Sequence, residues 1–196
     1  MLNFNFEKNV IFPTFVWDIF IEGIDNQSIK NYCLNVRENK QGIQISNRGG
    51  WHSKELIYPL PNSLETLFSN IENFCSDVCS PEIGISNLKV GNFWININGK
   101  YDYNIAHDHQ KSILSGVFYV DVPENNMGDI HFHRDDNAEF FITSSVEKNS
   151  NSFNENIVSI SPKTNQLLLF PSWIKHSVGR NESNSERISI AFNLVQ

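Results

Sequence analysis

Cysteine is scarce in this chain of 196 residues, with only Cys33, Cys75 and Cys79. An odd and low count excludes a disulfide framework, and with no second cysteine pair a four-cysteine zinc site is excluded too. Cys75 and Cys79 stand four apart on a predicted helix and read as small core residues. Basic residues are also in short supply. Lys and Arg number 15 against 22 Asp and Glu, for a net charge of −7 and a pI near 5.3. That deficit argues against nonspecific binding to nucleic acid or to an anionic membrane. No long apolar run is present to span a bilayer. The N-terminal MLNFNFEKNVIF has no basic stretch followed by an apolar block of the kind that marks a secretory leader. The expected location is therefore the reducing cytoplasm. No internal repeat is found.

What is present fits one globular domain over residues 1–196, since hydrophobic content is 40% and aromatic content 12%. Asp25 is placed as the N-cap of a helix whose apolar positions are Ile29, Tyr32, Cys33 and Val36. A second helix is predicted from Asn62, with Glu65 completing a capping box and Pro81 stopping it. Its stripe is Leu64, Leu67, Phe68, Ile71, Cys75 and Val78. From Leu88 the period changes to two. Strands are expected at 88–98, 113–121, 128–133, 138–143, 156–160, 166–170, 175–178 and 187–195, with turn signals between them. Short strands following two helices predict a mainly β fold with flanking α-helices. A helical and loop part over 1–87 would pack on a two-sheet jelly roll over 88–196, with a site enclosed between the sheets.

The residues that carry chemistry are His107-Asp108-His109, then His176, then Arg187. On a strand, His107 and His109 would share a face and Asp108 would take the other. A third imidazole from His176 would close a facial metal site with open positions. The stretch from Arg187 alternates, with Arg187, Ser189, Ala191 and Asn193 on one face. A buried arginine there needs an anion. Metal, open positions and an anion-binding arginine together suggest an iron enzyme with a dicarboxylate cosubstrate. His131 and His133 form a competing pair, but Ile130 and Phe132 are expected to face the core and turn those imidazoles outward. His52, beside the Gly49-Gly50 pair, is a candidate for substrate contact rather than ligation.

Several blocks, in order along nearly the whole chain, resemble a family of 2-oxoglutarate- and Fe(II)-dependent oxygenases. They are Ser46-Asn-Arg-Gly-Gly-Trp-His-Ser53, Trp94-Ile-Asn96, His107-x-His109, Leu114-Ser-Gly-Val-Phe-Tyr-Val-Asp-Val-Pro123, Leu169-Phe-Pro-Ser-Trp-Ile-Lys-His176 and Arg187-Ile-Ser-Ile-Ala-Phe-Asn193. The resemblance implies a double-stranded β-helix, a cupin-like jelly roll, with iron held by His107, His109 and His176. It implies that Arg187 binds the distal carboxylate of 2-oxoglutarate with help from Ser189, and that Tyr119 is a further cosubstrate contact. Hydroxylation of a small-molecule or peptide substrate is the expected outcome, with ascorbate as a stimulant and a homodimer compatible with the sequence. Asn47, Trp51, Trp94, Asn96 and Trp173 are the candidates for substrate contact, the Gly49-Gly50-Trp51 loop first among them.

One position departs from the wider superfamily pattern of His-x-Asp and a distant His: His109 stands where the carboxylate would be. Asp108 would reach a metal only through a bulge, so it is expected to be an outer acceptor or a surface residue. Two other readings stay open. One is a three-histidine dioxygenase that uses no 2-oxoglutarate. The other is a noncatalytic jelly-roll binding module.

Overall fold

Asp25 opens the first helix, α1 (Asn26–Asn39), as expected. Its carboxylate accepts the Ser28 backbone N–H at 3.1 Å and the Ser28 hydroxyl at 2.6 Å, which satisfies an orphan donor of the first turn. The computed structural model describes residues 3–136, 151 and 154–196. The second helix, α2 (Asn62–Phe74), differs from expectation at both ends. Asn62 is its first helical residue, and no side-chain cap forms, so there is no Asn62–Glu65 capping box. Pro61 occupies the cap position in extended conformation, and its carbonyl accepts the N–H groups of Leu64 and Glu65 at 2.9 and 3.1 Å. Nor does Pro81 stop the helix. A π-helical turn, Cys75–Cys79, carries the chain into α3 (Ser80–Ile83), which ends at Gly84 with φ +70°. In that turn the Ser80 N–H bonds back to the Cys75 carbonyl, five residues away. Pro81 then falls in the first turn of the restarted helix, where its missing N–H costs nothing.

The described strands are β1 (Trp17–Phe20), β2 (Asn47–Arg48), β3 (Trp51–His52), β4 (Lys89–Asn98), β5 (Tyr103–His107), β6 (Leu114–Asp121), β7 (Ile130–His133), β8 (Ile157–Ile160), β9 (Gln166–Pro171), β10 (His176–Val178) and β11 (Arg187–Val195). They pair antiparallel in two sheets, ordered β1-β9-β6-β11-β4-β3 and β2-β5-β10-β7-β8. The strand expected at 138–143 lies outside the described residues. β1, β2 and β3 lie outside the expected strands, and β5 includes His107 but stops short of His109. Residues 1–87 therefore do more than lay helices on the barrel, since three of their segments join the sheets. The chain crosses from one sheet to the other between β2 and β3 at Gly49 and Gly50, with φ +68° and +65°. A Cβ on Gly49 would sit 1.9 Å from Asp102 Oδ1 and would force that side chain to move, and at this positive φ a side chain is strained in any case.

Alternation along the long strands sorts two cores. Phe93, Ile95 and Ile97 of β4, Phe118 and Val120 of β6, and Ile188, Ile190, Phe192 and Leu194 of β11 pack with Leu64, Leu67, Phe68 and Ile71 of α2. The opposite face contributes Tyr119, Leu168 and Phe170, which meet Ile130, Phe132 and Ile174 between the sheets. This is the two-sheet jelly roll with outer helices that the pattern predicts. Gly116 of β6 sits where two core side chains press hardest, because a Cβ there would lie 2.3 Å from Phe192 Cζ and 2.8 Å from Leu169 Cδ2. Gly116→Ala should destabilise the fold by about 1–3 kcal/mol through overpacking, measured by denaturant unfolding.

Candidate functional site

Three imidazoles meet at the mouth between the sheets. His107 ends β5 and faces His176, the first residue of β10, in the antiparallel register. His109 lies two residues past the end of β5, so strand alternation does not place it. A backbone bond does, from the His109 N–H to the Ser172 carbonyl at 3.0 Å. One ring nitrogen from each histidine lies within 4.8 Å of the others, and the ring centroids are 4.4, 5.0 and 5.1 Å apart. Among the described residues this is the only cluster of three or more His, Cys, Asp or Glu groups arranged in this way.

The tautomers follow from the neighbours. His107 Nδ1 is 2.8 Å from the Ile105 carbonyl oxygen, and His176 Nδ1 is 2.9 Å from that of Ile174. A carbonyl only accepts, so each Nδ1 bears the proton and each Nε2 keeps its lone pair. Burial keeps the rings neutral. It lowers the His107 pKa, takes His109 down to about 4 with the help of His107, and takes His176 down to about 3. Three neutral imidazoles aimed at one point are suited to a divalent first-row metal, with positions left open.

These shifts also predict a pH dependence for the metal-free protein. The folded-state values lie below the ordinary 6.5, so the unfolded chain binds more protons as the medium acidifies. The stabilising contribution is complete above about pH 6.5 and is lost as pH falls toward 4 and 3. Between pH 7 and pH 5, the Tm of metal-free protein should drop by at least about 4 °C, read by scanning calorimetry.

The competing histidines lie elsewhere. On β7, Ile130 and Phe132 are buried in the inter-sheet core, while His131 Nδ1 meets Ser159 Oγ at 2.7 Å and His133 Nε2 meets Ser177 Oγ at 2.8 Å. Neither belongs to the cluster. Asp108 is also outside it and lines a neighbouring pocket.

Arg187 is 2% exposed. Its Nη1 donates to the carbonyls of Met127 and Gly128 at 2.8 and 2.6 Å, and its Nη2 to Asn98 Oδ1 at 3.1 Å. Nε is buried with no partner. No ion pair joins Arg187 to a carboxylate among the described residues. A guanidinium that is fully desolvated, hydrogen-bonded only by neutral acceptors and short of one partner has the chemistry to take an anion. It lines a narrow inner cavity of about 50 Å³ together with His107, His109, His176, Tyr119 and Ser189. Burial pushes the Tyr119 hydroxyl up to about 12, so it stays protonated as a donor.

The candidates for substrate contact divide. Trp94 and Asn96 line the inner cavity, and Trp94 also lines the wider pocket outside it. Asn47, Trp51 and Trp173 line neither. The Asn47 side chain is spent on its own loop: it accepts the Ile45 N–H at 2.8 Å and donates to the carbonyls of Ile43 and Gly49. Trp51 donates to the Lys40 carbonyl at 3.2 Å and packs at the edge of the helix-side core. Trp173 is 64% exposed. Asn98, which holds Arg187, reads in the sequence only as half of a turn signal. Its role follows from sitting opposite Arg187 in the β4–β11 register. The carbonyls of Met127 and Gly128 leave no side-chain signal at all.

A family model described as "Putative 2OG-Fe(II) oxygenase" matches residues 92–193, just over half of the chain, including all three clustered histidines and Arg187. The chain belongs to this family of oxygenases. Fe(II) and 2-oxoglutarate are thus its metal and cosubstrate. Solved structures agree on the fold. A Pseudomonas putida prolyl-4-hydroxylase is 10% identical over 92% of each chain, with a TM-score of 0.66. A Trichoplax adhaerens prolyl hydroxylase, solved with a peptide fragment of the hypoxia inducible factor oxygen degradation domain, is 16% identical over 92% of this chain and 83% of its own, with a TM-score of 0.67. HygX of Streptomyces hygroscopicus, solved with nickel and 2-oxoglutarate, is 12% identical over 93% of this chain and 83% of its own, with a TM-score of 0.57. The oxygenase is thus a double-stranded β-helix. No match is found among curated proteins. No helix among the described residues is long and apolar enough to cross a membrane.

Proposed function

We propose that this oxygenase holds Fe(II) through Nε2 of His107, Nε2 of His176 and a ring nitrogen of His109, and that Arg187 anchors the distal carboxylate of 2-oxoglutarate. The observation that carries this reading is that Arg187, buried and with an unpartnered Nε, lines the same cavity as the three imidazoles. Tyr119 and Ser189, on the same cavity wall, would complete the carboxylate's hydrogen bonds. When bound, Fe(II) and 2-oxoglutarate supply the dioxygen chemistry that oxidises a substrate C–H bond, and we assign hydroxylation as the outcome.

The protein's own contribution is placement and electrostatics. The Ile105 and Ile174 carbonyls fix two ligand rings in the correct tautomer. No carboxylate sits in the ligand set, so the negative charge that a His-x-Asp pattern would bring falls to the cosubstrate. The guanidinium of Arg187 makes no ion pair with a described carboxylate, although Asp129 acts on it electrostatically, and can commit to that cosubstrate. The substrate, a small molecule or a peptide side chain, would approach through the outer pocket, whose wall includes His107 and His109. The three unpaired, buried cysteines fit the reducing cytoplasm.

A three-histidine dioxygenase without an oxoacid would have no use for Arg187 in that cavity. The two readings part in one assay. Protein supplied with Fe(II), ascorbate and 2-oxoglutarate should release succinate at a slow uncoupled rate, detected by mass spectrometry. Absence of both succinate and 2-oxoglutarate binding would reject the proposal.

A further inference from the structure

His52 is 4% exposed, yet the protein uses only one of its ring nitrogens. Nδ1 lies 2.6 Å from the Ser53 carbonyl oxygen, so Nδ1 bears the proton and Nε2 keeps a lone pair. Nε2 has no hydrogen-bond partner among the described residues, while the ring lines the outer pocket of about 390 Å³. Stacking fixes the ring. Its centroid is 5.8 Å from that of Trp94 at an interplanar angle of 10°, and the Trp94 ring is in turn 5.5 Å from His109. The ring is an acceptor held in place, one aromatic layer from the proposed metal.

The charge around that acceptor has one sign. Glu55 and Asp108 line the same pocket, and no lysine or arginine does. Neither carboxylate is in an ion pair with a described residue. Asn193, also on the wall, is committed internally: it accepts from Ser115 Oγ at 2.8 Å and donates to Asn92 Oδ1 at 3.0 Å. Across the shared wall of His107, His109 and Trp94 the pattern reverses, because the inner cavity holds Arg187 and no carboxylate. The two linings differ in charge, with Arg187 inside and Glu55 and Asp108 outside, while Asp129 belongs to neither lining and acts electrostatically on Arg187. An anion in the outer pocket would meet two uncompensated carboxylates and an acceptor nitrogen. A group rich in N–H donors and carrying positive charge would meet partners for both properties.

We infer that the outer pocket selects a cationic substrate group, a protonated amine or a guanidinium, which donates to His52 Nε2 and is balanced by Glu55 and Asp108. This rests on the outer pocket being the substrate side of the oxygenase. A free amine and a lysine or arginine side chain of a peptide share the chemistry.

Isothermal titration tests it with Fe(II)-loaded protein and saturating 2-oxoglutarate, kept anaerobic. The probes are cadaverine, Nα-acetyl-lysine amide, 1,5-pentanediol and pentanoate, which match in chain length and differ in charge. At least one of the two cations should bind about tenfold or more tightly than the diol, and pentanoate weakest of all. Cadaverine alone would point to a free amine, and the lysine amide to a peptide side chain. The double variant Glu55→Gln, Asp108→Asn should lose about tenfold or more in cation affinity while its affinity for the diol stays unchanged. His52→Phe keeps the stacked ring and removes the acceptor, so it should weaken the cation likewise. His52→Gln, which restores an acceptor, should recover part of the loss. Equal or tighter binding of the diol or pentanoate, no binding of either cation, or unchanged cation affinity in these variants would overturn the inference. The parent reading fails differently. If wild-type protein does not bind 2-oxoglutarate, the oxoacid assignment falls, and the same titration without 2-oxoglutarate still decides the charge preference.

Discussion

In a His109→Ala variant, the bound Fe(II) surviving dialysis should fall at least about tenfold, whereas Asp108→Ala should stay near the wild-type level. Losing only an outer partner of a metal ligand typically costs about 10–100-fold in affinity or activity, so losing a ligand itself should cost no less. His109 offers its ring to the same point as His107 and His176, while Asp108 lies outside that cluster and lines the outer pocket. Metal analysis of the two dialysed variants is sufficient. Equal losses would mean that the carboxylate of Asp108 turns inward when metal is present, and that the three-imidazole assignment is wrong. His109→Asp is a sharper probe of the departure from the superfamily pattern. It should keep its metal, since a carboxylate oxygen is also a good ligand for Fe(II), and change turnover, because the ligand set gains a negative charge.

Arg187→Met should raise the Kd of 2-oxoglutarate by about 100-fold, equivalent to roughly 3 kcal/mol of lost charge-assisted hydrogen bonding. Metal content should be unchanged, because Arg187 is not among the clustered ligand groups. Cosubstrate affinity should suffer more than stability. Among the described residues its hydrogen-bond partners are neutral acceptors, two carbonyls and Asn98 Oδ1, so its removal breaks no ion pair, and the loss toward Asp129 is one of longer-range electrostatics only. Arg187→Lys should recover only part of the affinity, since an ammonium cannot present the planar, two-pronged face of a guanidinium. Titration of 2-oxoglutarate into the Mn(II)-loaded variants reads both effects. Unchanged affinity in the methionine variant would remove Arg187 as the anchor and favour the dioxygenase that uses no oxoacid.

The sequence by itself determined the features that depend on repetition along one element. β11 is nine residues long, and its alternation places Arg187, Ser189 and Ala191 toward the cavity and Ile188, Ile190, Phe192 and Leu194 toward the helices. The same signal read β4, β6, β9 and α1, whose Asp25 cap is a local contact three residues long. It turned the His131–His133 pair away from the core, because Ile130 and Phe132 compete for the same burial. The residue types of the proposed site were visible too, with His107, His176 and Arg187 on strands and His109 just past one.

Tertiary structure decided whatever depends on which segments meet. β2 and β3 are two residues each, too short to show any period, and they exist only because β5 and β4 offer edges to pair with. A capping box at Asn62 was a fair local reading, overruled by the Pro61 carbonyl. His109 reaches His107 and His176 through a backbone bond to Ser172, not through strand parity. The Gly49-Gly50-Trp51 loop promised substrate contact by its composition, yet the sheet crossing there sends Trp51 to the core edge and presents His52 to the pocket instead. The separation of Arg187 from Glu55 and Asp108 is likewise invisible along the chain. Net charge is a sum over residues, whereas the field in a cavity depends on which few of them line its walls and are kept from water.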